Sequence, residues 1–421
     1  MNPKTYSHVQ FIGYAIPSIP LSLADIGHGP ILVEGRYIGI NPAVADIDAR
    51  IALAMKGVHH AQGSHAVDQS AKTLKIFMMP EFTFRGKRGA YDNAPPIINY
   101  FTYFREEFAK CVAGPDYQDW LFVVGTIVNT VDYVRMSGTP QDEKARVREE
   151  VAIALADTWQ YCEKNNDPEL EAFVFSTLKA YTKYCHDHPI YEVTDRSYVV
   201  AGGPKAAVYG EGLSVQKKFI SNEDFVLNLY MNVFNEESCA YPQVSENKGE
   251  NKQKPFDDLS IFTIAGIKFG LEICLDHGCS RLRTYREPDT ELVQIQLVPS
   301  CGMQIQQPSV IAGRGGYVFN CDGQIGEIGK DSQPDANHSI WTGAESTKAH
   351  TQLAQVKTPC SRGASGSGLS KSTNAILTKP AATVTKVSMD HVSALNIFAY
   401  GPGEVHVYSS LPVPPPVGTL A

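Results

Sequence analysis

The run Gly270-Leu271-Glu272-Ile273-Cys274-Leu275-Asp276-His277-Gly278 decides how this chain reads. Residues 267–273 alternate well enough to form an apolar strand. A Cys placed directly after such a strand sits at its carboxyl end, where open α/β sheets assemble their sites. A cation nearby would lower the thiol pKa and raise the fraction of thiolate, the nucleophilic form. The ordinary role of a Cys is that of a small buried hydrophobe, so the run takes its meaning from the segments around it.

Two segments upstream supply that meaning. The first is Phe77-Met78-Met79-Pro80-Glu81-Phe82-Thr83-Phe84. Pro80 ends a buried strand because it has no N–H for the ladder. The carboxylate after it, flanked by aromatics, is partly desolvated, which raises its pKa toward the range of a general base or acid. A helix cap or surface turn is the plainer reading of such a Glu. The second is Gly212-Leu213-Ser214-Val215-Gln216-Lys217-Lys218-Phe219-Ile220. Lysines seldom sit within an apolar strand without a partner, although an edge strand uses them against aggregation.

Around these segments, strand candidates at 9–15, 74–79, 120–128, 197–201, 213–220, 261–264 and 293–298 alternate with helix candidates at 42–60 and 97–112. In the first helix Ile47, Ile51, Ala54, Met55 and Val58 recur at three- and four-residue steps. The alternation predicts an α/β fold. Thr139-Pro140 and Asp167-Pro168 are helix-start signals, and the apolar spacing that follows each predicts a helical hairpin inserted over 139–188. A polar loop is expected at 245–254 and a flexible Ser- and Gly-rich loop at 357–371. An extended tail at 412–421 is expected to add nothing to the core.

Composition narrows the classes. The chain has 421 residues, 43% apolar and 19% charged, with a net charge of −8. That favours a packed core and argues against nucleic acid or an anionic membrane as partner. No apolar run is long enough to span a bilayer, and no signal peptide is visible. Nine Cys without framework spacing fit a reducing, cytoplasmic setting. Neither Cys274, His277 and Cys279 nor Cys185-His186-Asp187-His188 has the paired spacing of a zinc site, so no metal is expected. The chain also lacks a Gly-x-Ser-x-Gly nucleophile elbow.

Pro-Glu after a strand, a strand Lys, and Gly-x-x-Ile-Cys-x-Asp after a strand, in that order, resemble the nitrilase or carbon–nitrogen hydrolase superfamily. The likeness covers about 9–130 and 197–300. It implies a single domain over 1–421, a four-layer α-β-β-α sandwich interrupted by the helical hairpin. It implies no cofactor, a small amide or nitrile as substrate, and often assembly as a homodimer. By the resemblance Cys274 attacks the substrate carbon, Glu81 moves protons, and the family Lys stabilises the oxyanion. Leu275 offers a backbone N–H as a second oxyanion donor, and Asp276 orders the loop.

The catalytic Lys is Lys217 or Lys218. These two face opposite ways in a strand, and Lys217 has the apolar Val215 and Ile220 at the family's offsets. A second Glu, found in many members between Lys and Cys, is Glu223 or Glu236. Lys217 follows Glu81 by 136 positions, longer than the family's interval, and the hairpin accounts for the excess. After Pro299-Ser300 the stretch 309–316 is too short for the helix usual there. An N-acyltransferase using the same three residues, or a binding module retaining them as a relic, are the alternatives to hydrolysis.

Overall fold

The computed structural model describes residues 5–19, 37–87, 89–92, 99–132, 191–204, 212–217, 260–278, 280–284, 292–324, 342–345, 349–361, 373–389 and 397–417. The hairpin expected at 139–188, the loop at 245–254, and Lys218, Glu223 and Glu236 lie outside the described residues. The chain enters a first sheet with β1 (His8–Ala15), β2 (Thr73–Met78), β3 (Tyr91–Asp92), β4 (Trp120–Asp132), β5 (Tyr191–Ala201) and β6 (Leu213–Gln216). It then builds a second from β7 (Ile261–Ile264), β8 (Ile267–Leu271), β9 (Val293–Ser300), β10 (Ala312–Asp322), β11 (Thr342–Glu345), β12 (His350–Thr358) and β13 (Ile376–Thr378). It returns to the first with β14 (Val384–Ser388), β15 (Glu404–Tyr408) and β16 (Leu411–Pro412).

The strand order is β14-β15-β1-β2-β4-β5-β6 in one sheet and β11-β12-β10-β9-β8-β7 in the other. Both are mixed. β1, β2 and β4 run parallel in the first, and β8, β9 and β10 run parallel in the second. Strand alternation then divides the side chains between two faces. Val9, Phe11, Leu74, Ile76, Met78, Leu121 and Val123 from the first sheet pack against Phe269, Leu271, Ile295, Leu297, Tyr317 and Phe319 from the second. Gly13 shares that inward face, where a side chain would collide with Thr351.

The opposite face of the first sheet carries two helices, α1 (Ala43–Gly63) and α2 (Tyr100–Cys111). All five residues predicted for the buried stripe of α1 are buried. α2 starts where the Asn99 side chain accepts the Thr102 N–H at 3.0 Å, and it buries Phe101, Phe104 and Phe108. Outside the second sheet the described cover is thinner. The one-turn helices α3 (Leu275–Gly278) and α4 (Arg281–Thr284) stand where a full helical layer was expected. Leu282, Ile305, Val310 and Ile311 close an apolar cluster with Val298, Val318 and Val356.

Several boundaries differ from expectation. β5 begins at Tyr191, before the apolar run that announced it. β12 continues to Thr358, so the Ser- and Gly-rich segment starts later than 357. The tail does contribute to packing: Pro412 closes β16 against β1, and Val413 and Val417 pack on two of the apolar clusters. Its prolines satisfy the edge without donating. Pro414 instead accepts from the Gln294 amide at 2.6 Å.

Candidate active site

Glu81 owes its position to a defect in β4. The ladder between β4 and β5 shifts register between Val123 and Thr126, and Gly125 within that bulge has φ +41°. A Cβ there would run into the Pro80 carbonyl, so glycine alone lets the Pro80 turn nest on the strand. Thr126 Oγ1 accepts from the Phe82 N–H at 2.9 Å, and the Thr83 hydroxyl donates to the Pro80 carbonyl at 2.6 Å. Phe82 is held at φ 61°. The turn aims Glu81 across to the second sheet, where Glu81 Oε2 accepts the Cys301 N–H at 3.1 Å.

Lys217 lies one residue past β6. Val215 faces the space between the sheets, and alternation puts Lys217 on the same side. Lys217 Nζ stands 2.7 Å from Glu81 Oε1, with both side chains fully buried, and 5.5 Å from the centre of the Phe82 ring. A buried charge persists only when paired, and each of these supplies the other's partner.

Cys274 follows β8 in a left-handed backbone conformation, φ 46°. This is costly for a residue with a Cβ. Its N–H donates to the Pro299 carbonyl at 3.0 Å, and its own carbonyl accepts from the N–H groups of His277 and Gly278. Sγ lies 3.8 Å from the Cys301 carbonyl oxygen. Burial pushes the thiol well above its usual pKa. The Glu81 charge adds to that rise, and the Lys217 charge opposes it. The balance of these influences favours the neutral thiol over the thiolate.

The loop after β9 reaches both Glu81 and Cys274 through its backbone. Besides Cys301 N–H to Glu81, the N–H groups of Gly302 and Met303 both donate to Asp322 Oδ2 at 2.8 Å. Ile305 N–H donates to Gln352 Oε1 at 3.0 Å, and Gln306 N–H to His277 Nε2 at 2.9 Å. Asp322 Oδ2 also accepts from Ser300 Oγ at 2.6 Å. Buried side chains accept each of these five N–H groups, which gives the loop a fixed path without regular structure.

Of the residues singled out from sequence, Glu81, Lys217 and Cys274 come together. Asp276 pairs with Arg281 at 2.9 Å, and Arg281 reaches the Gln216 carbonyl at the end of β6 at 3.3 Å. Leu275 begins α3 directly after the thiol. His277 is no open ligand, because Glu272 Oε2 lies 2.7 Å from its Nδ1 and Gln306 engages its Nε2. Among the described residues no group of three or more His, Cys, Asp or Glu could hold a metal ion. The sequence reading missed Cys301, Asp322 and Glu272. Glu272 carried a signal, a charge inside an apolar strand run.

A shallow cleft is lined by Phe82, the residue after Glu81. Ser18, Tyr37, Arg85 and Phe398 also line it. The Arg85 guanidinium lies over the Phe82 ring at 4.2 Å and the Tyr37 ring at 4.4 Å.

No family model matches the chain, and no curated protein matches it. Among solved structures it is similar to nitrilase-superfamily amidases. An amidase from Nesterenkonia sp. shares 11% identity and a TM-score of 0.32, over 85% of this chain and 94% of that one. A mutant of the Nesterenkonia AN1 amidase from the nitrilase superfamily shares 10% identity and a TM-score of 0.30, over 76% and 79%. The functional reading of this chain rests on its own residues. Among the described residues no helix is long and apolar enough to cross a membrane.

Proposed function

We propose that this chain is a divergent member of the nitrilase superfamily, on a four-layer α-β-β-α frame, that hydrolyses a non-peptide carbon–nitrogen bond through an acyl enzyme on Cys274. An amide is the preferred substrate over a nitrile. The observation that carries the reading is the fully buried Lys217–Glu81 pair, 2.7 Å apart, whose two charges both act on the Cys274 thiol. A carboxylate, an ammonium and a thiol converging in a dry place have no structural need of one another, since an apolar trio would pack there at lower cost.

In the proposed reaction Glu81 takes the thiol proton as Cys274 Sγ bonds to the carbonyl carbon. Lys217 Nζ and the Leu275 N–H stabilise the oxyanion of the tetrahedral intermediate. As the C–N bond breaks, Glu81 returns the proton to the leaving amine, and a thioester remains. Water then adds to the thioester with Glu81 as its base, which releases the acid and restores the thiol. His277 is not the base of a Cys–His dyad, because both ring nitrogens are engaged away from Sγ.

The test is to incubate the protein with a panel of short amides and nitriles, measure released ammonia and weigh the intact chain. The expected result is an acyl adduct on Cys274, and neither adduct nor ammonia from a folded Cys274→Ala variant. Undiminished ammonia release by that variant would sink the reading. Products weighed with and without added amines separate hydrolysis from acyl transfer.

A further inference from the structure

Directly beneath the nucleophile lies a second buried polar cluster that the chemistry above does not use. Glu272 and Gln296 are fully buried, as is His277. Glu272 Oε1 accepts the Leu282 N–H at 2.6 Å. Its Oε2 lies 2.7 Å from His277 Nδ1 and accepts from Gln296 Nε2 at 2.7 Å. Gln296 in turn donates to the Ser309 carbonyl at 3.1 Å, and its Oε1 accepts the Ile311 N–H at 2.9 Å. The Gln306 N–H points at His277 Nε2, so that nitrogen carries the lone pair and the ring proton is on Nδ1, facing Glu272.

The cluster thus joins six pieces of chain: the end of β8, the turn α3, the start of α4, strand β9, the loop 300–306 and the segment 309–311. Cys274 and His277 are bonded through the backbone, His277 N–H to the Cys274 carbonyl at 2.9 Å. The imidazole therefore anchors the turn whose first residue, Cys274, holds φ at 46°. The same imidazole pins Gln306, in the loop whose Cys301 peptide touches both Glu81 and Cys274. An apolar residue at 277 would fill the space but leave the buried Glu272 carboxylate and the partly buried Gln306 N–H without this partner.

We propose that His277, oriented by Glu272, is a positioning residue that locks the nucleophile turn to the 300–306 loop and so fixes the thiol against Glu81; this rests on the reading of Cys274 as nucleophile. It acts on the rate of acylation and not on substrate affinity. Glutamine can replace it, since its amide offers both an N–H for Glu272 and an oxygen for the Gln306 N–H.

The experiment uses 4-nitrophenyl acetate, a generic acyl donor, and follows the nitrophenolate burst in the full chain. His277→Ala is expected to slow the burst by about 10²-fold, at an unchanged half-saturating concentration, and His277→Gln to recover most of the rate. Intact mass gives the fraction of chains acylated, so the rate is expressed per competent site even when the alanine variant is partly unfolded. Equal rates per site, or no recovery in the glutamine variant, would overturn the positioning role and leave Cys274 as nucleophile. A burst that survives Cys274→Ala would overturn the parent reading and this inference with it.

Discussion

The outer faces of the two sheets are covered in opposite ways. The first is sealed by α1 and α2 through an apolar cluster that includes Ile47, Ile51, Val58, Phe104 and Phe108. Beneath the Cys274 end of the second sheet the cover is largely polar, built from Glu272, His277, Gln296, Asn320, Asp322 and Gln352, all fully buried. Apolar packing is non-directional and tolerates small shifts at modest cost. Hydrogen-bonded networks fix angles as well as distances, and leaving a member unsatisfied is expensive. The helices over the first sheet are thus held mainly by bulk, although the Glu81 turn itself is fixed by hydrogen bonds with Thr126, Thr83 and Arg50, while the strained Cys274 backbone lies over a cover held by direction.

The largest effect is expected where the two halves meet. Glu81→Gln removes the proton carrier and should lower turnover by about 10²–10⁴-fold. The thiol responds in the opposite sense. Burial and the Glu81 charge both push the Cys274 pKa up, and Lys217 pushes it down. Removing the Glu81 charge takes away the larger of the two charges that raise the thiol and leaves Lys217 opposed by burial and Asp322, so the pKa falls and more thiolate exists at a given pH. Alkylation of Cys274 by iodoacetamide, followed across pH, should then shift to lower pH in the variant while turnover collapses. An alkylation profile that moves upward would mean that the carboxylate does not face the sulfur.

A break confined to the apolar cover should separate stability from chemistry. Phe108 is fully buried and lies edge-on to Phe122 at 5.9 Å. Phe108→Ala should cost about 3–5 kcal/mol in urea unfolding, from lost transfer energy plus the cavity left behind. The acylation rate per folded molecule should stay at the wild-type value, because among the described residues no hydrogen bond given for the site runs through α2.

These two faces were not equally legible in the sequence. The apolar one was: period-two strands and the three- and four-residue stripe of α1 announce themselves in composition, and all five stripe residues are buried. Glu81 and Cys274 stood out because each follows an apolar strand in the order the family resemblance requires, and that family's flanking pattern, met by Val215 and Ile220, favoured Lys217. The polar cover was not. Cys301 acts through its peptide group toward Glu81, a residue 220 positions away, and no side-chain pattern encodes that. Asp322 reads as an ordinary turn residue in Asn320-Cys321-Asp322-Gly323, and His277 as a ligand candidate. The tail was misjudged for a related reason: Pro-rich composition signals an extended chain but not the edge it lies on, and β16 pairs with β1.

The smallest effect on stability, and the sharpest on the contrast, should come from Asp322→Asn. One carboxylate oxygen now accepts from Ser300, Gly302 and Met303, while the other accepts the Gln324 N–H at 2.7 Å. An amide keeps one acceptor and turns the other into a donor, so at least one of these partners loses its bond. The cost should be about 1–3 kcal/mol, below that of the Phe108 truncation. The charge effect alone would favour reaction, because Asp322 is among the charges that raise the Cys274 pKa. If the loop matters through its geometry, acylation by 4-nitrophenyl acetate must slow per folded molecule even though the thiolate becomes easier to form. Burst rate and alkylation profile measured on one preparation decide between the two. A faster burst in the asparagine variant would reduce Asp322 to a nearby charge, and would make the second sheet's polar cover a matter of packing like that of the first.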